Sequence, residues 1–96
     1  MLVLVTYDIK QDTKAGKKRW KSVARACEDF GQRVQHSVFE CLLTPAQWEN
    51  LRSTLVETID KDTDSLRFYL LGKNWRRRVQ HVGAKPSWDP QGPLIV

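Results

Sequence analysis

The chain has 96 residues, enough for one domain with a thin core and too few for two. Sixteen Lys and Arg against eleven Asp and Glu leave a net charge of +5, a moderate excess that matters through its distribution. No apolar run approaches the ~20 residues that span a bilayer, and the first strand lacks the basic flank of a secretory leader, so a soluble cytoplasmic protein is expected, with no membrane partner. Cys27 and Cys41 lack CxxC spacing, and His36 and His81 are not placed to complete a zinc site. Both thiols are expected to be buried and reduced.

Residues 2 to 8 read as a strand buried on both faces and central in its sheet, ending at a single carboxylate, Asp8. Lys10 to Gly16 is a polar loop. A helix fits Lys17 to Phe30, with Trp20, Val23, Cys27 and Phe30 on its apolar face and Gly31 as its stop. Lys14, Lys17, Lys18, Lys21 and Arg25 fall on the opposite side, while Arg19 lies on the margin of the apolar face. Residues 32 to 43 read as β structure, either a tight hairpin around His36-Ser37 or one bent strand. Thr44-Pro45-Ala46-Gln47 then gives a capped helix start, followed by the apolar stripe Trp48, Leu51, Leu55 and Ile59. Ser65 to Leu71 alternates as a strand that Gly72 ends, and residues 75 to 82 are expected to add another.

This order is that of an α+β, ferredoxin-like βαββαβ domain, with two helices on one face of an antiparallel sheet. Such a sheet leaves a face and its edges to be covered. Residues 1–83 are assigned to the domain and 84–96 to a tail. A tail ending in Leu94-Ile95-Val96 is expected to pack on a partner subunit across a two-fold axis.

A carboxylate closing a buried strand costs free energy unless a cation, a proton or hydrogen bonds compensate it. Asp8 therefore either binds a hard cation such as Mg²⁺ or caps a turn. One carboxylate does not define a hydrolytic metal site; a symmetric dimer pairing Asp8 of each chain would supply two, and would read a duplex with two-fold symmetry. The stripe Lys14, Lys17, Lys18, Lys21 and Arg25 has almost no acidic partners at helical spacing, which favours phosphate contact over a merely solvated face. Arg76, Arg77 and Arg78, beside Trp75, form either an edge-strand guard or a second phosphate clamp. Arg19 and Arg33 flank the site and are candidates for contacting the phosphate under attack. His36 and His81 are either acid–base groups or structural histidines. There is no P-loop, no nucleophilic triad pattern, no Rossmann glycine run and no RNP-type aromatic signature.

Val5-Thr6-Tyr7-Asp8-Ile9, Lys18-Arg19, the run from Gly31 through Cys41 (GQRVQHSVFEC) and Ser65 through Gly72 (SLRFYLLG) together resemble the CRISPR-associated protein 2 family. The likeness runs from the first residue through Gly83, and Gly83 to Ser87 with Pro93-Leu94-Ile95 are similar to one subtype. The resemblance implies a homodimer that exchanges C-terminal strands, with a metal between the two copies of Asp8. Arg19, Arg33 and Phe39 match further positions of the family pattern. It also implies Mg²⁺- or Mn²⁺-dependent phosphodiesterase activity on single-stranded RNA or duplex DNA, and work in spacer acquisition with the integrase CRISPR-associated protein 1. Two functions follow as expectations. One is a metal-dependent endonuclease with catalytic Asp8, Arg19 and Arg33; the other is a non-catalytic scaffold that holds duplex DNA between integrase dimers.

Overall fold

The computed structural model describes residues 1–83. Four strands and two helices follow in chain order: β1 (Leu2–Asp8), α1 (Lys14–Glu28), β2 (Gly31–Gln35), β3 (Val38–Leu42), α2 (Pro45–Thr58) and β4 (Ser65–Gly72). One sheet of order β2-β3-β1-β4 results, antiparallel throughout, which is the ferredoxin-like arrangement. β1 is central, as its apolar run requires.

Alternation along β1 separates two environments. Val3, Val5 and Tyr7 point toward the helices and are buried against Val23 and Cys27 of α1, Leu51 and Leu55 of α2, and Phe39 and Cys41 of β3. Leu4 and Thr6 are half-buried on the other face, and Asp8 is exposed. Burial on both faces, expected for this strand, is met only at Leu2; beyond it no helix covers the second face among the described residues, because α1 and α2 both pack on the first. Leu4, Thr6, Val34, Val38, Tyr69 and Val82 line a shallow hollow there.

α1 starts three residues earlier than its apolar spacing suggests. The Thr13 side chain accepts a hydrogen bond from the Gly16 amide at 3.0 Å, a capping signal that wins over the polar composition of this turn. The helix ends at Glu28, and Gly31 opens β2 instead of stopping α1. There it is needed for packing, since a Cβ would run into the Glu40 carbonyl and the Cys41 side chain. Residues 31 to 42 form the hairpin, not the bent strand, turning at His36-Ser37. The capping box at Thr44 forms as read, with the Gln47 amide on Thr44 Oγ1 at 3.2 Å and the Thr44 amide on Gln47 Oε1 at 3.0 Å.

The strand expected over 75 to 82 is not formed among the described residues. Trp75–Arg77 is instead one turn of 3-10 helix, entered after Gly72 turns the chain at a φ of 73°. Trp75 is buried, and this anchor outweighs the alternating pattern. The tail assigned to residues 84–96 lies outside the described residues.

Candidate functional site

The register places three connections at one end of the sheet. Asp8 pairs with Ser65 of β4 on one side. On the other, the Tyr7 amide donates to the Ser37 carbonyl at 3.1 Å, which sets the hairpin turn beside it. The loop from Ile9 to Thr13 leaves from the same end and leads into α1. Asp8 shares the parity of Leu4 and Thr6, so its carboxylate belongs to the uncovered face of the sheet. It is exposed and makes no hydrogen bond or ion pair within the described chain. The cost of burial expected at Asp8 does not arise in one chain.

The buried carboxylate is Asp64. None of its side chain is exposed, and it accepts four hydrogen bonds: from Arg19 Nε at 2.8 Å, the Asp60 amide at 2.9 Å, the Lys10 amide at 3.1 Å and Thr63 Oγ1 at 3.2 Å. Burial alone would raise its pKa; the bonds from Asp60, Arg19, Lys10 and Thr63 outweigh it and hold the carboxyl below its ordinary value. In the sequence Asp64 does not stand out, because it is one of three alternating aspartates, Asp60, Asp62 and Asp64, between α2 and β4. Arg19, the one cation of α1 off the exposed stripe, is the signal that an internal partner exists.

Arg19 therefore has its Nε occupied inside the chain. Arg33 is also engaged: its guanidinium lies 5.3 Å from the Trp20 ring centroid and 5.2 Å from that of Phe39, and it pairs with Glu28 at 3.4 Å. Trp20 stacks on His36, with centroids 4.9 Å apart, and its indole N–H points to Ser37 Oγ at 3.4 Å. The resulting cluster of Tyr7, Trp20, Arg33, His36 and Phe39 braces the hairpin against α1. Tyr7 faces the core, where burial pushes its phenol up to about 12 against the opposing charge of Arg33. His36 thus stands at the Asp8 end, whereas His81 lines the hollow on the uncovered face. Burial raises the Glu40 carboxyl above its ordinary value there, and the charge of His81 opposes the rise.

Lys14, Lys17, Lys18, Lys21 and Arg25 are all exposed along α1, the first three in its opening turns, which follow the loop that leaves β1 after Asp8. Arg76, Arg77 and Arg78 are exposed too, but β4 runs antiparallel to β1, with Gly72 opposite Leu2. The start of α1 and the 75–77 turn consequently lie toward opposite ends of a seven-residue strand, roughly 20 Å long at about 3.3 Å per residue. Arg76 covers the Trp75 ring at 4.7 Å, and Arg78 Nη1 donates to the Leu71 carbonyl at 3.1 Å.

Cys27 and Cys41 are free and fully buried, and burial pushes both thiols up to about 12, so they are inert packing groups. Among the described residues no three His, Cys, Asp or Glu side chains gather to hold a metal ion, and no helix is long and apolar enough to cross a membrane.

The family described as CRISPR associated protein Cas2 matches residues 1–79. The chain belongs to the Cas2 family. A relative from Nitratidesulfovibrio vulgaris, named CRISPR-associated endoribonuclease Cas2, is 55% identical over 96 residues, covering 100% of this chain and 94% of its own. One from Halalkalibacterium halodurans, named CRISPR-associated endonuclease Cas2, is 50% identical over 95 residues and 99% of each chain. The solved structure of Streptococcus pyogenes Cas2 at pH 6.5 superposes with a TM-score of 0.75 at 58% identity, covering 86% of this chain and 100% of that one. The Cas2 likeness spans both the Asp8 strand and the hairpin that flanks it.

Proposed function

We propose that this protein is a metal-dependent endonuclease of CRISPR spacer acquisition, acting as a homodimer on phosphodiester bonds of duplex DNA or single-stranded RNA. The observation that carries the reading is Asp8: an exposed carboxylate without a partner among the described residues, at the end of the central strand from which the loop into the lysine-rich start of α1 leaves. Its relatives carry the names endoribonuclease and endonuclease.

The donor set fits a hard divalent cation. Mg²⁺ takes one or two carboxylates and completes its shell with water and phosphate oxygens, so it needs no cage of three protein ligands. One chain offers Asp8; the parity of Asp8 with Leu4 and Thr6 means that two chains joined through their uncovered faces would bring two such carboxylates together. Those two would hold the Mg²⁺ or Mn²⁺. Such an ion, when bound, lowers the pKa of a water ligand and polarises a phosphoryl oxygen.

The remaining work falls to the chain itself. Lys14, Lys17 and Lys18 seat the phosphate backbone near Asp8, Lys21 and Arg25 continue the track along α1, and Arg76 to Arg78 add contacts at the far end. Arg33, fixed over Trp20 and Phe39, offers its outer N–H groups to the phosphate. His36, in the hairpin turn at the same end, would take or give the proton of the hydrolysis. Backbone contacts of this kind carry no base information, so binding falls steeply with salt and shows little sequence preference.

The internal engagement of both Arg19 and Arg33 favours a second reading. In it the protein is a scaffold that holds duplex DNA and CRISPR-associated protein 1, and hydrolysis plays no part. Cleavage of labelled duplex DNA and single-stranded RNA, with Mg²⁺ or EDTA, separates the two. The nuclease reading expects metal-dependent cutting that Asp8→Asn abolishes while binding stays intact; cutting absent, or indifferent to Asp8, leaves the scaffold.

A further inference from the structure

The four donors to Asp64 come from three stretches of chain. Arg19 belongs to the middle of α1, Asp60 follows the end of α2, Thr63 adjoins Asp64, and Lys10 lies in the loop that leaves β1. A fully buried carboxylate with a salt bridge is expensive to assemble, and a short surface connection between a helix and an edge strand has no need of one.

What the network does is visible at Lys10. Its amide is held by Asp64 at 3.1 Å. Its carbonyl lies so close to the first turn of α1 that a Cβ on Gly16 would run into it. Lys10 is thus hydrogen-bonded through its amide and closely packed against Gly16 through its carbonyl, two residues beyond Asp8. Ser65, next to Asp64 in the chain, is the register partner of Asp8 on β4. The backbone following Asp8 and the backbone facing it are therefore both tied to one carboxylate. Asp64 itself is buried on the helix side and touches nothing that binds at the uncovered face.

We propose that Asp64, clamped by Arg19, is the positioning residue of the Asp8 site: it fixes the strand end so that the Asp8 carboxylate is presented at one place on the uncovered face. This role rests on the nuclease reading above and gives Arg19 a duty in it that needs no contact with phosphate. A group that orients a metal-binding carboxylate from behind is worth about 10-fold to 100-fold in activity when removed.

The test compares wild type, Asp8→Asn, Asp64→Asn and Arg19→Lys in the full chain. It reads amide hydrogen exchange over residues 8–12, cleavage in Mg²⁺, duplex binding and thermal melting. Asp64→Asn is expected to melt cooperatively and bind duplex like wild type. Exchange over residues 8–12 should be about 10-fold faster, and cleavage slower by a similar factor. Arg19→Lys, which keeps a cation near Asp64, should lie between the two. Should Asp64→Asn fail to fold, Gly16→Ala pushes on the Lys10 carbonyl without altering Asp64 and should produce the same paired changes. A loosened segment with undiminished cleavage, or a segment as protected as in wild type, overturns the proposal. A wild type that cleaves and needs Asp8, beside an equally active Asp64→Asn, overturns this role alone. A wild type that cleaves nothing overturns the nuclease reading and this role with it.

Discussion

Both ends of β1 have exposed basic residues close by in the fold, and the two ends are built in opposite ways. At the Asp8 end, α1, the β1–α1 loop and the α2–β4 connection meet on one buried carboxylate with four hydrogen bonds. At the Leu2 end, the arginines sit in and after a single 3-10 turn, where Trp75 is buried, Arg76 lies over its ring and Arg78 donates to the Leu71 carbonyl. If the Asp8 end is the catalytic site, the contrast has a reason: chemistry needs a fixed geometry, whereas backbone binding tolerates a loose one.

Removing the two anchors in turn should separate the ends most strongly. Asp64→Ala deletes one partner of a buried pair and is expected to cost about 3 kcal/mol, lowering the melting temperature by more than about 10 °C. Arg78→Ala, losing one exposed bond, should stay within about 0.5 kcal/mol. The two variants should also differ in their pH dependence. Because the folded Asp64 carboxyl titrates below its ordinary value, its stabilisation is fully present above the unfolded pKa and disappears as pH falls through the lowered folded value. Asp64→Ala should therefore narrow its gap from wild type in strong acid, while the Arg78→Ala gap stays flat; melting followed against pH checks both.

A smaller effect distinguishes the two basic groups in binding. Removing Lys17 and Lys18 together should weaken duplex binding at every length and reduce the salt slope by about 1 for each phosphate that is no longer neutralised. Removing Arg76 and Arg77 should do so only on duplexes long enough to reach across the roughly 20 Å between the ends. Equal weakening on the shortest duplexes would mean that both groups act at one place.

The fold is legible in the sequence because its signals are local. A central apolar strand, a complete capping box at Thr44 and alternation over β4 each report the state of a few neighbouring residues. Sequence reasoning fails where distant contacts decide. Trp75 turns a strand-like pattern into a 3-10 turn by burying itself, and the hairpin at His36-Ser37 needs its register with β1 to be told from a bent strand. The site is half legible. Asp8 stands out as the only carboxylate on the apolar strand, but its environment does not, because burial of the strand stops short of its last residue. Asp64 is hidden because its partners Arg19 and Lys10 lie 45 and 54 residues away in sequence. The position of Arg19 at the edge of the apolar face is the trace that this pairing leaves.

If two copies of this chain build one cation site from two Asp8 carboxylates on their uncovered faces, the stoichiometry of binding must show it. The measurement is calorimetric titration of the full-length protein with Mn²⁺, with the oligomeric state followed in parallel. One ion bound per two chains, lost in Asp8→Asn while the dimer persists, is the predicted result. One ion per chain, or binding that survives Asp8→Asn, would contradict it.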